Sequence, residues 1–416
     1  MDACPRDYGI VAIVKAYKYK LKVSHKVEAI FLHWLAICCE LYNAGLQERR
    51  DAYRMAGESL SVTDQANQLP EIKACRKDVA RVHSQVLQET LRRLQRAFEN
   101  FFRRVKEGQK PGFPRFRSRE RYDSFTFPQS GFQLKGNKLC LSKLGSCRVH
   151  LSRPIEGQIK TCTIKREADG WYVVFAVVEN QSRYLPKTGD SVGVDVGLEH
   201  FATLSTGETI ENPRWLRKAK RRLTTAQHQV SRRIKGSHRR KKAVRLLAKQ
   251  HQTVARQRAD FHHKEALTLI REFDEIAVED LQVKNMVRNP FLAKSISDAG
   301  WSSFLLILTS KAAEADRLVV RVNPAFTSQD CSQCGERMRL SLAVREFRCL
   351  VCGFVAHRDH NAAITIKARA QELVNPGASR KRAPSGMVAV VPAPSCEPRT
   401  CRPTEPESPP RTANAV

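Results

Sequence analysis

Four cysteines toward the carboxyl end, in the pairs Cys331-Ser-Gln-Cys334 and Cys349-Leu-Val-Cys352, oblige the chain to turn back on itself. Each pair leaves two residues between its sulfurs, and fourteen residues separate the pairs. That spacing lets four thiolates reach one tetrahedral Zn2+. A glycine follows each pair, Gly335 and Gly353, where the knuckle needs a tight turn. A redox pair would want a strand–helix–strand setting that the flanking sequence lacks, and chance does not produce two matched pairs. With four cysteines no coordination position stays open, so the zinc is predicted to be structural. The other nine of the 13 cysteines, Cys38, Cys39, Cys75 and Cys140 among them, are scattered as small buried hydrophobes. A reducing cytosol allows that pattern.

The charge balance narrows the partners. The chain has 72 Lys+Arg against 42 Asp+Glu, a formal net charge of +30. Such an excess attracts polyanions, because each phosphate neutralised releases counterions. Residues 214–264 concentrate it, with 18 Lys+Arg and one acid, Asp260. Leu216, Leu223 and Val230, then Val244, Leu247 and Val254, recur at helical spacing, and Gly236-Ser237 interrupts them. Two helices in a hairpin are predicted, with Arg221, Arg222, Arg232, Arg233, Arg239 and Arg240 as nucleic-acid contacts. A solvated charged face is the plain account of any charge run, but charge this unbalanced repels itself without a polyanion. Arg115 and Arg117 in GQKPGFPRFRSR alternate with Phe113 and Phe116 and are candidates of the same kind. No apolar run is of the length a bilayer requires, and MDACPRDYGI has no signal-peptide pattern. A cytoplasmic, nucleoid-associated protein with no membrane partner is expected.

The chain reads as an α+β multidomain protein. Residues 9–24 alternate as a strand, and from Ser24, a plausible N-cap, Val27, Phe31, Trp34, Leu35, Cys38 and Tyr42 mark a helix. A second helix is predicted from about Ile72 to Val105, and short strands over 123–180. The arrangement expected is a β-barrel-like module, 1–24 with 111–186, holding an inserted helical bundle, 25–110. SVGVDVGLEHFATLST opens a second domain as a strand hairpin. EIAVEDL and LVVRVN are further strands, residues 298–317 a helix capped by Asp298, and a last helix starts near Asn361. This domain, 187–325 and 357–374, is interrupted by the cysteine segment 326–356. Residues 375–416 carry nine of the 19 prolines and no periodicity, so a disordered tail is expected.

Three acids stand at the ends of predicted elements: Asp195 in VGVDVG, Glu279 in AVED and Asp359 in HRDHNAA. Singly each is a solvated strand end or a helix cap. In an RNase H-like fold, acids on the first strand, the fourth strand and a helix meet at one sheet edge. Three like charges there are costly to ionise unless divalent metal neutralises them. Two ions about 4 Å apart would activate water and stabilise a leaving 3'-oxygen, and an oxygen-only ligand set suits Mg2+ or Mn2+.

With these acids, GVDVGLEHFATLSTG, IAVEDLQVKNM, SISDAGW, TSQDCSQCG and REFRCLVCG…HRDHNAA resemble the successive motifs of the TnpB family, transposon-encoded relatives of type V CRISPR effectors. Upstream, VLQETLRRLQRAFENFF and GFPRFRSR resemble its N-terminal segment, so the resemblance spans roughly residues 10–370. It implies a RuvC-like nuclease domain interrupted by a zinc ribbon, after a wedge-like barrel and a recognition bundle. It implies Asp195, Glu279 and Asp359 as catalytic acids, and a guide RNA from the transposon end that pairs with target DNA, double- and single-stranded. It also implies that Gln88 in VLQ and Thr126 in SFTF read a short motif beside the target, although a helix or strand role accounts for each. A monomer with one RNA is expected. The family commonly has an acid two residues before the third aspartate, where this chain has His357. Asp280 is expected to point away from the site, and Asn361 to orient the Asp359 turn. The alternatives are a nuclease-inactive repressor, which would lack acids of the triad, a cut-and-paste transposase with an RNase H core, and a zinc-ribbon RNA-binding protein.

Overall fold

The computed structural model describes residues 13–179, 184–341 and 344–374. The expected strand residues 9–12 and the expected disordered tail from 375 lie outside them. The described residues divide into two compact units, 13–179 and 184 with 214–261, and 185–213 with 262–341 and 344–374.

In the first unit, strand β1 (Ile13–Lys22) leads to helix α1 (His25–Ala56), whose N-cap Ser24 accepts from the Val27 N–H. Gly57, at φ 67°, ends it in the left-handed conformation that glycine adopts without strain. Phe31, Trp34, Leu35, Cys38 and Tyr42 are buried as the helical spacing requires, while Val27 is partly buried against them. By length and composition α1 could cross a membrane, but half of its most apolar stretch is buried in this core. The second helix expected from Ile72 to Val105 is instead three. After α2 (Val62–Asn67) come α3 (Leu69–Cys75), α4 (Lys77–Ala80) and α5 (Ser84–Lys106), and Arg76 takes an extended conformation at the first break.

Seven antiparallel strands complete the sheet: β1 with β2 (Ser124–Phe127), β3 (Phe132–Lys135), β4 (Lys138–Leu141), β5 (Gly145–His150), β6 (Gln158–Glu167) and β7 (Gly170–Glu179). Their order is β2-β6-β7-β1-β5-β4-β3, and among the described residues no ladder joins β2 to β3. The expected barrel is therefore found as a sheet without a closing pair. Phe31 meets Phe125 and Trp171 edge-on, at 5.6 and 5.0 Å between centroids, which ties α1 to this sheet.

The basic hairpin forms as α6 (Trp215–Ser231) and α7 (His238–Glu272), turning at Gly236. Two expectations change here. The inward residue near the start of α7 is Ala243, with Val244 exposed, a shift of one position. The hairpin's arms also group with the first unit, not with the second domain. Arg256 explains part of that grouping: its guanidinium reaches Asp169 at 2.9 Å and Glu167 at 2.9 Å, both at the β6–β7 turn.

The second unit is built on a five-stranded sheet ordered β10-β9-β8-β11-β12. Strands β8 (Ser191–Val196), β9 (His200–Leu204) and β10 (Thr209–Glu211) are antiparallel neighbours; β11 (Glu275–Glu279) and β12 (Leu318–Val322) run parallel to β8. Between them lie α8 (Val283–Met286), α9 (Ala293–Ala299) and α10 (Trp301–Glu314). The helix expected over 298–317 with Asp298 as cap is thus two helices. Gly300, at φ 70°, separates them, and Asp298 sits inside the last turn of α9. Strands β13 (Glu346–Arg348) and β14 (Val355–His357) pair antiparallel before α11 (Arg358–Val374), which starts three residues earlier than expected.

Candidate active site and metal centres

Register brings two of the acids together. Val194 of β8 pairs with Val278 of the parallel β11, and the next residues along are Asp195 and Glu279. In parallel strands aligned residues face the same side, so the two carboxylates are neighbours at one edge of the sheet. Asp359 comes from the first turn of α11. That helix lies hard against β8 because Gly193 has no side chain: a Cβ there would come within 2.0 Å of the Ala363 carbonyl oxygen. Gly193 lies two residues before Asp195 and was the missed signal in VGVDVG. It is what allows the helix-borne acid to approach the strand-borne one.

The electrostatics record the approach. Burial raises the Asp195 carboxyl well above the ordinary carboxylate range, and the charges of Glu279 and Asp359 raise it further, with Arg358 opposing. Burial also raises Glu279, against a hydrogen bond from Thr327 and the charge of Arg369. Glu279 is buried, and the Thr327 hydroxyl donates to its Oε1. Asp359 Oδ1 lies 3.6 Å from Arg358 Nε. Asp280 turns to Arg321 at 3.3 Å, away from this cluster as expected. His357 Nδ1 accepts from the Asp359 N–H at 3.3 Å, so it caps the first turn of α11.

The four cysteines converge. All four Sγ atoms lie within 4.8 Å of one another, with Cys331–Cys352 at 3.6 Å and Cys334–Cys349 at 3.5 Å. Four thiolates around one Zn2+ at about 2.3 Å would stand about 3.8 Å apart, so the cluster fits that ion. The knuckles repeat one pattern. Gly335 N–H bonds to Cys331 O and Gly353 N–H to Cys349 O, with both glycines left-handed at φ 76° and 73°. The Cys349 thiol is pulled down to about 7, first by the backbone N–H of Cys352, while Cys334 and Cys352 beside it are raised, so one thiolate is favoured among the four.

Among the described residues this is the one group of His, Cys, Asp and Glu whose ligand atoms all lie that close. The three carboxylates are more widely spread. Their all-oxygen donor set is of the kind that Mg2+ or Mn2+ takes.

Asn361, two residues after Asp359, acts on that turn through the cysteine knuckle. Fully buried, it accepts from the Ser332 N–H and donates to the Asp330 carbonyl, each at 2.9 Å. It fastens the first cysteine knuckle to the helix that carries Asp359.

The expected nucleic-acid contacts divide. Arg221, Arg222, Arg232 and Arg239 are exposed on the hairpin. Arg240 instead donates to the carbonyls of Val230 and Arg233, and Arg233 to that of Arg239, so both hold the turn. Arg115 is exposed, and the Arg117 guanidinium lies 5.4 Å from the Tyr42 ring. Gln88 is half-buried on α5, and the Thr126 hydroxyl accepts from Arg93 at 2.8 Å. Arg93, Arg96, Arg117 and Arg121 surround a cavity of about 210 Å³. Three of these arginines have no flanking pattern that singles them out in the sequence.

Residues 175–290 match a family described as "Probable transposase", and residues 301–366 one described as "Cas12f1-like, TNB domain". A protein of Streptomyces pristinaespiralis named "Putative RNA-guided DNA endonuclease" is 35% identical over 364 residues, 86% of this chain and 89% of that protein. Its namesake InsQ of Escherichia coli is 29% identical over 90% of this chain and 98% of its own length. Among solved structures, a Cas12f1–guide RNA–target DNA complex aligns with a TM-score of 0.56 at 13% identity, covering 86% of this chain and 99% of that one. That likeness concerns the fold.

Proposed function

The chain belongs to the TnpB family of transposon-associated RNA-guided DNA endonucleases, and from that premise we propose that it cleaves target DNA with Asp195, Glu279 and Asp359. The observation that carries this reading is the cluster itself: Asp195 and Glu279 follow the Val194–Val278 pair on adjacent parallel strands, and Asp359 is brought toward them on the helix that packs on Gly193. Divalent cations bound there would activate a water and stabilise a leaving 3'-oxygen. The chain's own contribution is positional. Glu279 is held by the Thr327 hydroxyl, Asp359 by its place on α11, and α11 by Gly193 and Asn361.

In this reading the second unit is a RuvC-like, RNase H-fold nuclease domain and residues 326–356 a zinc ribbon. The first unit is a wedge-like module with a recognition bundle. Cys331, Cys334, Cys349 and Cys352 hold one structural zinc, which keeps the knuckle seated on α11. Guide RNA and target DNA lie against exposed arginines such as Arg115, Arg221, Arg222, Arg232 and Arg239, and Gln88 stands on the element that reads the target-adjacent motif. One chain acts with one RNA, in a cytoplasmic, nucleoid-associated setting.

The test is to co-express the chain with its native downstream flanking DNA, sequence the copurifying RNA, and assay Mg2+-dependent cutting of a plasmid matching that RNA's 3' end. Guide-dependent cutting is expected, lost in Asp195→Ala while RNA copurification persists, with one zinc per chain in both. A transposase, which the matched family's description keeps in view, would act on the transposon ends without RNA. A bound RNA with no cutting would favour a repressor.

A further inference from the structure

After β12 the chain crosses from Asn323 to Asp330, and Phe326 stands in it at φ 64°. A bulky side chain in the left-handed region is strained where glycine would not be. Core packing does not account for it, since the ring is 48% exposed. Its surroundings are nonetheless fixed. The Arg337 guanidinium lies 3.7 Å from the ring centroid. Asp330 grips Arg337 at 2.7 Å, and Arg369 grips Asp330 at 2.7 Å while donating to the carbonyls of Asn323 and Ala325. The next residue, Thr327, is buried and donates to Glu279. An exposed, braced aromatic ring thus stands one residue from the partner of a candidate catalytic acid.

We propose that Phe326 is a stacking platform for an unpaired base of the DNA strand being cut, and so a positioning residue for cleavage. Aromatic side chains hold single strands by stacking on bases, and stacking is tolerant of sequence because every base offers a π-face. That tolerance suits an enzyme whose target is chosen by base pairing with RNA. The proposal rests on the endonuclease reading above. Its plain rival is that Phe326 serves only to seat Arg337.

The experiment uses the full chain with its copurified RNA, Ca2+ in place of Mg2+, and DNA strands carrying 2-aminopurine at successive positions. The parent is expected to quench the probe at one position. Phe326→Gly is expected to abolish that quenching and weaken strand binding about tenfold. Its thermal midpoint should not fall, because glycine accepts this backbone conformation. Phe326→Trp should restore both binding and quenching. Unchanged binding and quenching in Phe326→Gly, or no quenched position in the parent, would overturn the proposal. Quenching that follows Phe326 in a parent unable to cut guide-matched DNA would uphold the platform and sink the endonuclease reading instead.

Discussion

Thr327 holds Glu279 by a single hydroxyl, and that hydroxyl also lies 3.1 Å from the Pro324 carbonyl. One proton can serve only one acceptor, and the carboxylate is the closer. Outer partners of metal-ligating carboxylates typically matter tenfold to a hundredfold in metal affinity or activity. Thr327→Val keeps the shape and removes the donor. It is expected to raise the Mg2+ concentration for half-maximal cleavage about 10- to 100-fold, with Thr327→Ser close to the parent. A Mg2+ titration unchanged in the valine variant would mean that Glu279 is placed by other means. At this scale the sequence was partly legible. The cysteines and the three acids are chemical types with characteristic spacings and could be named. Thr327, Gly193 and Asn361 act through contacts made across 48, 170 and 29 residues, and no local pattern marks such contacts.

Helices and strands announced themselves where one face is apolar and lost their edges where one residue decides. The α3–α5 region reads as one helix because its apolar spacing continues across Arg76, whose extended backbone breaks it. Likewise Asp298 has the chemistry of a cap, but the left-handed Gly300 two residues later sets the boundary. Attachment between elements was less legible still. Arg256 of α7 is one of 18 basic residues in its stretch, and only the fold reveals that it meets Glu167 and Asp169. Burial alone would raise the Asp169 carboxyl. Hydrogen bonds from Arg256, Tyr172 and Gln252 outweigh that and hold it well below the usual range, and Glu167 is lowered in the same way by Lys18 and Arg256. A carboxyl depressed in the fold stabilises it above its unfolded pKa, about 4, and that contribution fades as pH falls below. Amide protection at the β6–β7 turn and along α7 is therefore expected to decline progressively as pH falls from about 5 toward the lowered pKa values of these carboxyls in the fold. Asp169→Asn should flatten that dependence in a hydrogen-exchange series, and an unchanged acid limb would show that the cluster does not fasten α7.

For the molecule as a whole the governing quantity is its charge of +30. Composition alone made a polyanionic partner legible, but not which cations are available to it. Arg233 and Arg240 are occupied by the hairpin turn, whereas Arg221, Arg222, Arg232 and Arg239 are exposed. Replacing those four with Gln should lower the slope of log affinity against log salt by about 3 to 4 on duplex DNA, at roughly 0.9 per phosphate neutralised. The pair Arg233→Gln and Arg240→Gln should instead lower thermal stability. A quadruple variant with the parental slope would place the nucleic acid elsewhere.

The division into units also bears on the birth of the protein on the ribosome. The first unit is finished only by residues 214–261, after 185–213 of the second have already been made. From residue 184 to residue 261 the ribosome adds 77 more (261 − 184), which takes roughly 4–15 s at 5–20 residues per second. Within that interval the two arms of the basic hairpin are made one after the other, and Glu167 and Asp169 wait without Arg256 until it is nearly over. Synthesis interleaves the two units, so neither can be completed and set aside before the other has begun.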